Sequence, residues 1–178
     1  MNKIVKKVPI EAAILAGGKS HRMGQDKALL RVGNHTLIEH AHRVAEELEL
    51  SCRVIKVDYR VGFGPIGGIQ TALRGSKARQ VLFLCCDMPF LSAELVKKLF
   101  VLEGDALFVE ADGRVGFPFC LTTDLLPVVE QRLESGELSL QRFARDYGQM
   151  LELPESEWFQ LTNINTPEQL AAARARLQ

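Results

Sequence analysis

The chain has 178 residues, 47% of them hydrophobic, and its 22 lysines and arginines balance 22 aspartates and glutamates. That length suits one ordinary globular domain able to bury about two-thirds of its unfolded surface, and a single domain over residues 1–178 is expected. Zero net charge excludes the broad basic footprint of a nucleic-acid binder or of a protein held on an anionic membrane, so phosphate recognition must come from a few locally placed cations.

In chain order, Lys3, Lys6 and Lys7 precede apolar residues in the manner of a signal peptide, yet Pro9 and Glu11 interrupt the run and its core is needed as a first strand. No apolar stretch approaches the length of a membrane span, and the expected location is cytoplasmic. Short apolar runs at residues 11–15, 53–57, 81–86 and 106–109 alternate with helical patterns. This is the sequence form of an α/β fold, three-layered and Rossmann-like, with a mostly parallel sheet. Residues 37–49 put Ile38, Ala41, Ala45 and Leu48 on one helical face, and His40 and His42 on that helix read as solvated or packing residues. Ser92 is placed to cap a helix through Leu102. Asp112-Gly113 is a hairpin signal, with residues 115–121 returning, so a hairpin insertion breaks the parallel pattern. Residues 124–134 turn Leu125, Leu126, Val129 and Leu133 inward as a helix, and a shorter helix follows around residues 140–147. Thr166-Pro167-Glu168-Gln169 combines an N-cap, a proline at the first helical position and a capping-box glutamine, opening a final helix to about Leu177. Cys52, Cys85, Cys86 and Cys120 have neither disulfide-framework nor metal-pair spacing. Adjacent in a strand pattern, Cys85 and Cys86 should face opposite sides.

The densest chemical signal runs from Leu15 to Lys27. Gly17-Gly18 after a short buried strand lets the backbone turn sharply with its N–H groups facing outward, where an anion can approach them. Arg22 adds a planar fork for phosphate oxygens and Lys27 a compact mobile charge, which together read as a triphosphate cradle; Asp26 would orient the Lys27 ammonium or keep the loop extended. A P-loop is excluded, because that motif needs a glycine five residues before Gly18 and Ala13 stands there. Asp87 ends an apolar strand at the same sheet edge as the glycine loop. There it reads either as a magnesium ligand, one carboxylate completed by waters and phosphates, or as a turn residue. Gly62 to Gly67 is also a literal dinucleotide fingerprint, with Asp87 at the spacing of a ribose-binding acid. That reading leaves the Gly17–Lys27 stretch unexplained, and residues 58–61 separate strand from glycines where a tight turn is needed. A nucleotide sensor without turnover is a further alternative.

Leu-Ala-Gly-Gly-Lys-Ser-x-Arg-Met-Gly-x-Asp-Lys-Ala-Leu, from Leu15 to Leu29, resembles the opening motif of the sugar-nucleotide-type nucleotidyltransferases, and most closely that of the molybdenum cofactor guanylyltransferases. Gly64-Pro65-Ile66-Gly67-Gly68-Ile69, Cys86-Asp87-Met88-Pro89-Phe90-Leu91 and Asn163-Ile164-Asn165-Thr166-Pro167-Glu168 look like later segments of that family in the same order. The resemblance implies transfer of GMP from GTP to the terminal phosphate of molybdopterin with release of pyrophosphate, with cytidylyl transfer as the alternative. It implies a nucleotide-binding half of about residues 1–91 and an acceptor-binding half of about 92–178. Asp87 is then the Mg2+ ligand, Lys27, Arg22 and Asp87 are catalytic, and Leu15, Ala16, Gly17, Gly18, Lys27, Asp58 and Asp87 contact the nucleotide. Asn163 and Asn165 lie near the acceptor or the metal, with a turn-forming role as their alternative reading. Trp158, Phe117, Phe119 and Phe159 are candidates for stacking a pterin or for the core. Transient contact with proteins that deliver or accept the cofactor is implied as well. The chain departs from the family between Leu50 and Asp58, where relatives usually carry two strands and it has room for one.

Overall fold

The computed structural model describes residues 9–16, 26–56 and 63–176. In chain order the elements are β1 (Ile10–Leu15), a small hairpin of β2 (Arg31–Val32) and β3 (His35–Thr36), α1 (Leu37–Glu47), β4 (Cys52–Ile55), α2 (Gly64–Gly75), β5 (Gln80–Cys85), α3 (Ala93–Leu99), β6 (Ala106–Ala111), β7 (Arg114–Thr122), α4 (Leu126–Ser135), α5 (Leu140–Tyr147), β8 (Gln149–Glu152) and α6 (Pro167–Arg176). Short 3-10 turns lie at Lys27–Leu29, Thr123–Leu125 and Glu155–Leu161. No helix among the described residues is long and apolar enough to cross a membrane.

Six strands form one sheet in the order β4-β1-β5-β7-β6-β8, in which β7 alone runs against the others. Alternation along the strands sends side chains to two cores. Ala12, Ile14, Leu82 and Leu84 meet Ala41, Val44 and Ala45 of α1 and Leu95, Val96 and Leu99 of α3. Ala13, Val81 and Phe83 meet Ile66 and Ile69 of α2, Val129 and Leu133 of α4, and Phe143 of α5. The three layers read from the sequence are therefore present. A third cluster, of Leu30, Val32, Leu37, Ile164, Leu170 and Ala173, ties α6 to the small hairpin.

The elements differ from the expected boundaries for local reasons. Helix α1 stops at Glu47 because Glu49 takes a left-handed φ of 56°, with Leu50 N–H donating back to the Ala45 carbonyl at 2.9 Å, a Schellman closure. Helix α3 is capped by Ser92 as expected and ends at Leu99 rather than Leu102. There Val101 and Leu102 donate to carbonyls only three residues back and tighten the last turn. The helix expected over residues 124–134 begins as a 3-10 turn and becomes α-helical at Leu126. Cys85 and Cys86 pack against the same core, since β5 ends at Cys85 and the alternation no longer holds. Strand β8 and the β2–β3 hairpin were not anticipated.

Strand β7 pairs with β5 only from Thr122 to Phe119, opposite Gln80 to Phe83. Beyond that point its register against β6 shifts, from Phe108 opposite Phe119 to Val109 opposite Gly116. Pro118 lies within the shift, where a residue without an N–H costs the ladder no bond. The ends of β5 and β7 that lie toward Asp87 are thus unpaired with each other.

Candidate active site

The chain leaves β1, returns through α1 to β4 on one side of it, and crosses by α2 to β5 on the other side. The C-terminal ends of β1 and β5 therefore flank a topological switch point, where open α/β sheets hold their ligands. Strand β1 leads on toward Lys27, and β5 leads to Asp87.

Lys27 opens a 3-10 turn that is fixed at two points. The Asp26 carboxylate accepts the Ala28 N–H at 3.0 Å, and the Ala28 side chain is buried. Asp26 thus caps the backbone, and the Lys27 ammonium is held by other groups. It donates to Asp87 Oδ2 at 2.6 Å and to Asn165 Oδ1 at 2.7 Å, partners 60 and 138 residues away in sequence. The Lys27 and Asp87 side chains are only 16% and 14% exposed, so this ion pair is partly shielded from water.

Asp87 follows β5 by two residues, and each of its carboxylate oxygens has a donor. Lys27 donates to Oδ2 and the Cys85 thiol to Oδ1. Burial, and then the neighbouring Asp87 charge, push the Cys85 thiol well above its ordinary value, which keeps the proton it donates. The Asp87 carbonyl also accepts the Ile164 N–H at 2.9 Å. Ile164 is fully buried in the cluster beneath α6 and pegs the 163–165 segment against the end of β5. The expected capping box follows at once. Gln169 Oε1 accepts the N–H groups of Asn165 at 2.7 Å and Thr166 at 3.1 Å, and Thr166 Oγ1 accepts the Gln169 N–H at 3.3 Å. Asn165 is held at its own backbone, which leaves its side chain to meet Lys27.

The structure thus brings together Lys27, Asp87 and Asn165. Leu15 and Ala16 are half-buried at the C-terminal edge of β1, where the Ala16 N–H reaches the Ile55 carbonyl at 3.0 Å. Gly17, Gly18, His21, Arg22 and Asp58 lie outside the described residues. Asn163 is exposed. Among the aromatic candidates, Phe119 is fully buried between Phe83 and Phe108, and Trp158 donates its indole N–H to the Leu153 carbonyl at 3.0 Å. Phe159 lies under the Arg176 guanidinium at 4.3 Å, and Phe117 is half-buried on the part of β7 that has left β5. His40 donates to the Val32 carbonyl at 2.8 Å, as a packing residue would, and lines a groove of about 440 Å³ beside α1 with His35, Arg43 and Glu47. The cysteine thiol at Asp87 and the Ile164 peg were missed by the sequence reading; the two-residue spacing of Cys85 and Asp87 was its one available signal for the thiol.

Chemically, the arrangement offers two oxygen donors, one of them charged, beside an ammonium. Oxygen donors suit a hard cation such as Mg2+, which is commonly bound by one or two carboxylates together with substrate phosphates. No group of three or more His, Cys, Asp or Glu residues able to hold a metal occurs among the described residues, so such an ion would depend on the substrate for the rest of its shell.

Residues 12–151 match the family model described as the MobA-like NTP transferase domain. The molybdenum cofactor guanylyltransferase of Pseudomonas putida is 35% identical, covering 91% of this chain and 96% of that protein. A probable molybdenum cofactor guanylyltransferase of Carboxydothermus hydrogenoformans is 41% identical over 89% of this chain and 91% of its own length. The crystal structure of molybdopterin-guanine dinucleotide biosynthesis protein A from Archaeoglobus fulgidus superposes with a TM-score of 0.70 at 22% identity, covering 93% of this chain and 97% of that one. The fold and the sequence thus agree, and the chain belongs to the MobA-like NTP transferase family as a nucleotidyltransferase of the molybdenum cofactor guanylyltransferase type.

Proposed function

We propose that the chain transfers GMP from GTP to the terminal phosphate of molybdopterin. A phosphate oxygen of molybdopterin attacks the α-phosphorus of GTP, the bond to the bridging oxygen of the β-phosphate breaks, and pyrophosphate leaves with that electron pair. The observation that carries this reading is the convergence of Lys27, Asp87 and Asn165 at the switch point of a chain so similar to guanylyltransferases along its length.

An ionised phosphate is already a nucleophile, so no strong general base is required. The work left to the protein is alignment and neutralisation of charge on the α-phosphate and the leaving group. Lys27 would give its ammonium to the α-phosphate, and Arg22 with the amides of Gly17 and Gly18 would hold the departing pyrophosphate. Asp87 and Asn165 present the oxygens that would hold Mg2+, which supplies further positive charge to the triphosphate when bound. Leu15 and Ala16 would line the base and ribose side with Asp58, and Asn163 the acceptor side. The part of β7 that leaves β5 provides the space through which the acceptor approaches. The domain is read as single over residues 1–178, its nucleotide half supplying Lys27 and Asp87 and its acceptor half Asn165.

Turnover of GTP, CTP and ATP with molybdopterin and magnesium tests the reading. GTP should show the highest kcat/KM. A preference for CTP would move the chain to cytidylyl transfer, and GTP binding without turnover would make it a sensor.

A further inference from the structure

The ammonium of Lys27 is held by the two oxygens that the proposed function gives to the metal, Asp87 Oδ2 at 2.6 Å and Asn165 Oδ1 at 2.7 Å. We propose that Lys27 keeps the metal's place in the nucleotide-free protein, so that the arriving triphosphate opens the site to the divalent ion. This inference rests on the nucleotidyltransferase reading and adds an order of events to it.

Two cations cannot share these oxygens closely, because the pair is partly shielded from water and their mutual repulsion is correspondingly strong. A divalent ion arriving alone must displace the ammonium. It must also find Asp87 Oδ1 already engaged by the Cys85 thiol. A nucleotide meets no such obstacle. Lys27 carries its charge on a flexible four-carbon stem, while the turn beneath it is fixed by Asp26 and the buried Ala28, so the ammonium can swing to a phosphate without the backbone following. A triphosphate, bearing several negative charges, attracts it more strongly than one carboxylate and one amide do. Once Lys27 has moved, Asp87 is a partly buried carboxylate without its counter-ion, an arrangement costly enough to call in another cation. The thiol of Cys85 stays behind on Oδ1 and holds the carboxylate in place while this exchange occurs. Nucleotide and metal thereby raise one another's affinity, as any coupling between two ligands requires.

The test uses Mn2+ alone as probe, titrated into the nucleotide-free protein and followed by electron paramagnetic resonance, with thermal unfolding recorded for every variant. Lys27→Met and Lys27→Ala should each bind Mn2+ on the order of tenfold or more tightly than the wild type, the repulsion having been removed. Lys27→Arg, which keeps the charge, should stay weak, and Lys27→Met combined with Asp87→Asn should lose the gain. Wild-type protein in EDTA should still bind GTP, measured by calorimetry. Equal Mn2+ affinity in the wild type and both neutral Lys27 variants would overturn the proposal. So would a gain that survives Asp87→Asn, or a wild type that binds Mn2+ readily but GTP only after it. Absence of GTP turnover with molybdopterin would remove the assigned reaction instead, a result separate from the manganese comparison.

Discussion

Along its β1 side, β5 is paired in parallel from Gln80 to Cys85, whereas along its β7 side the pairing stops at Phe83. The first seam is a scaffold, whose continuous ladder fixes the ends of two strands side by side. The second opens toward Asp87 at the register shift around Pro118. The closed seam sets the end of β1 beside the end of β5, from which Asp87 follows, and on the proposed function the open seam is where the acceptor approaches. Asn165, pegged by Ile164, reaches from the C-terminal part of the chain to meet Lys27 beside Asp87.

The largest effects are expected where that meeting is broken. Asp87→Asn replaces a charged oxygen by a neutral amide and should lower kcat by about a hundredfold or more at saturating magnesium in protein that thermal unfolding shows to be still folded. Activity and magnesium dependence equal to the wild type would assign Asp87 to the turn. Lys27→Ala should reduce kcat by on the order of a hundredfold with a smaller loss of GTP affinity, because its charge matters most when the α-phosphate becomes five-coordinate. Arg22→Ala should show the opposite split, weakening GTP binding more than kcat; steady-state kinetics beside direct binding separate the two.

Breaking the peg should cost both stability and rate. Ile164→Ala empties a fully buried site and is expected to destabilise by about 2–5 kcal/mol in chemical denaturation, with kcat falling in protein that remains folded at low temperature. Gly148→Ala presses on Phe108, whose ring stacks on Phe119 at the edge of the open seam. A Cβ there would stand 2.6 Å from the Ala144 carbonyl and 2.7 Å from the Phe108 ring. A loss of about 1–3 kcal/mol is expected in chemical denaturation.

The smallest effect concerns His40, whose pKa is lowered from 6.5, chiefly by burial. The unfolded chain therefore takes up its proton more readily than the folded one. Stability from this residue is complete above about pH 6.5 and is lost as the pH falls below it. His40→Gln should flatten the slope of stability against pH in that window, and an unaltered slope would place the titration elsewhere.

Much of the closed seam was legible in the sequence, because buried parallel strands write themselves as apolar runs and helix ends as Ser92 or Thr166-Pro167-Glu168-Gln169. Lys27 and Asp87 were recognisable from their positions after strands, and the capping box foretold the backbone that holds Asn165. The open seam was not legible. Strand β8 is four residues long with Met150 and Leu151 adjacent rather than alternating, and it exists because β6 offers an edge to pair with. The register shift depends on how β7 meets two neighbours at once, a property of pairing that no single segment contains. Cys85 read as a strand residue like its neighbours. Its role on Asp87 arises from the turn that brings the chain back on itself just after β5.

The Lys27 contacts also say something about how the molecule comes to be active. They span separations of 60 and 138 residues. Closing the longer loop instead of the shorter adds roughly 0.7 kcal/mol of chain entropy, a small burden on the finished fold. In time the difference matters more, since contacts between distant parts of a chain form slowly. Molecules with β1 and β5 already paired, but the segment around Asn165 still undocked, would carry most of the native secondary structure and only two of the three converging groups. On the proposed roles of these three groups, regain of turnover during refolding should lag behind regain of the circular dichroism signal.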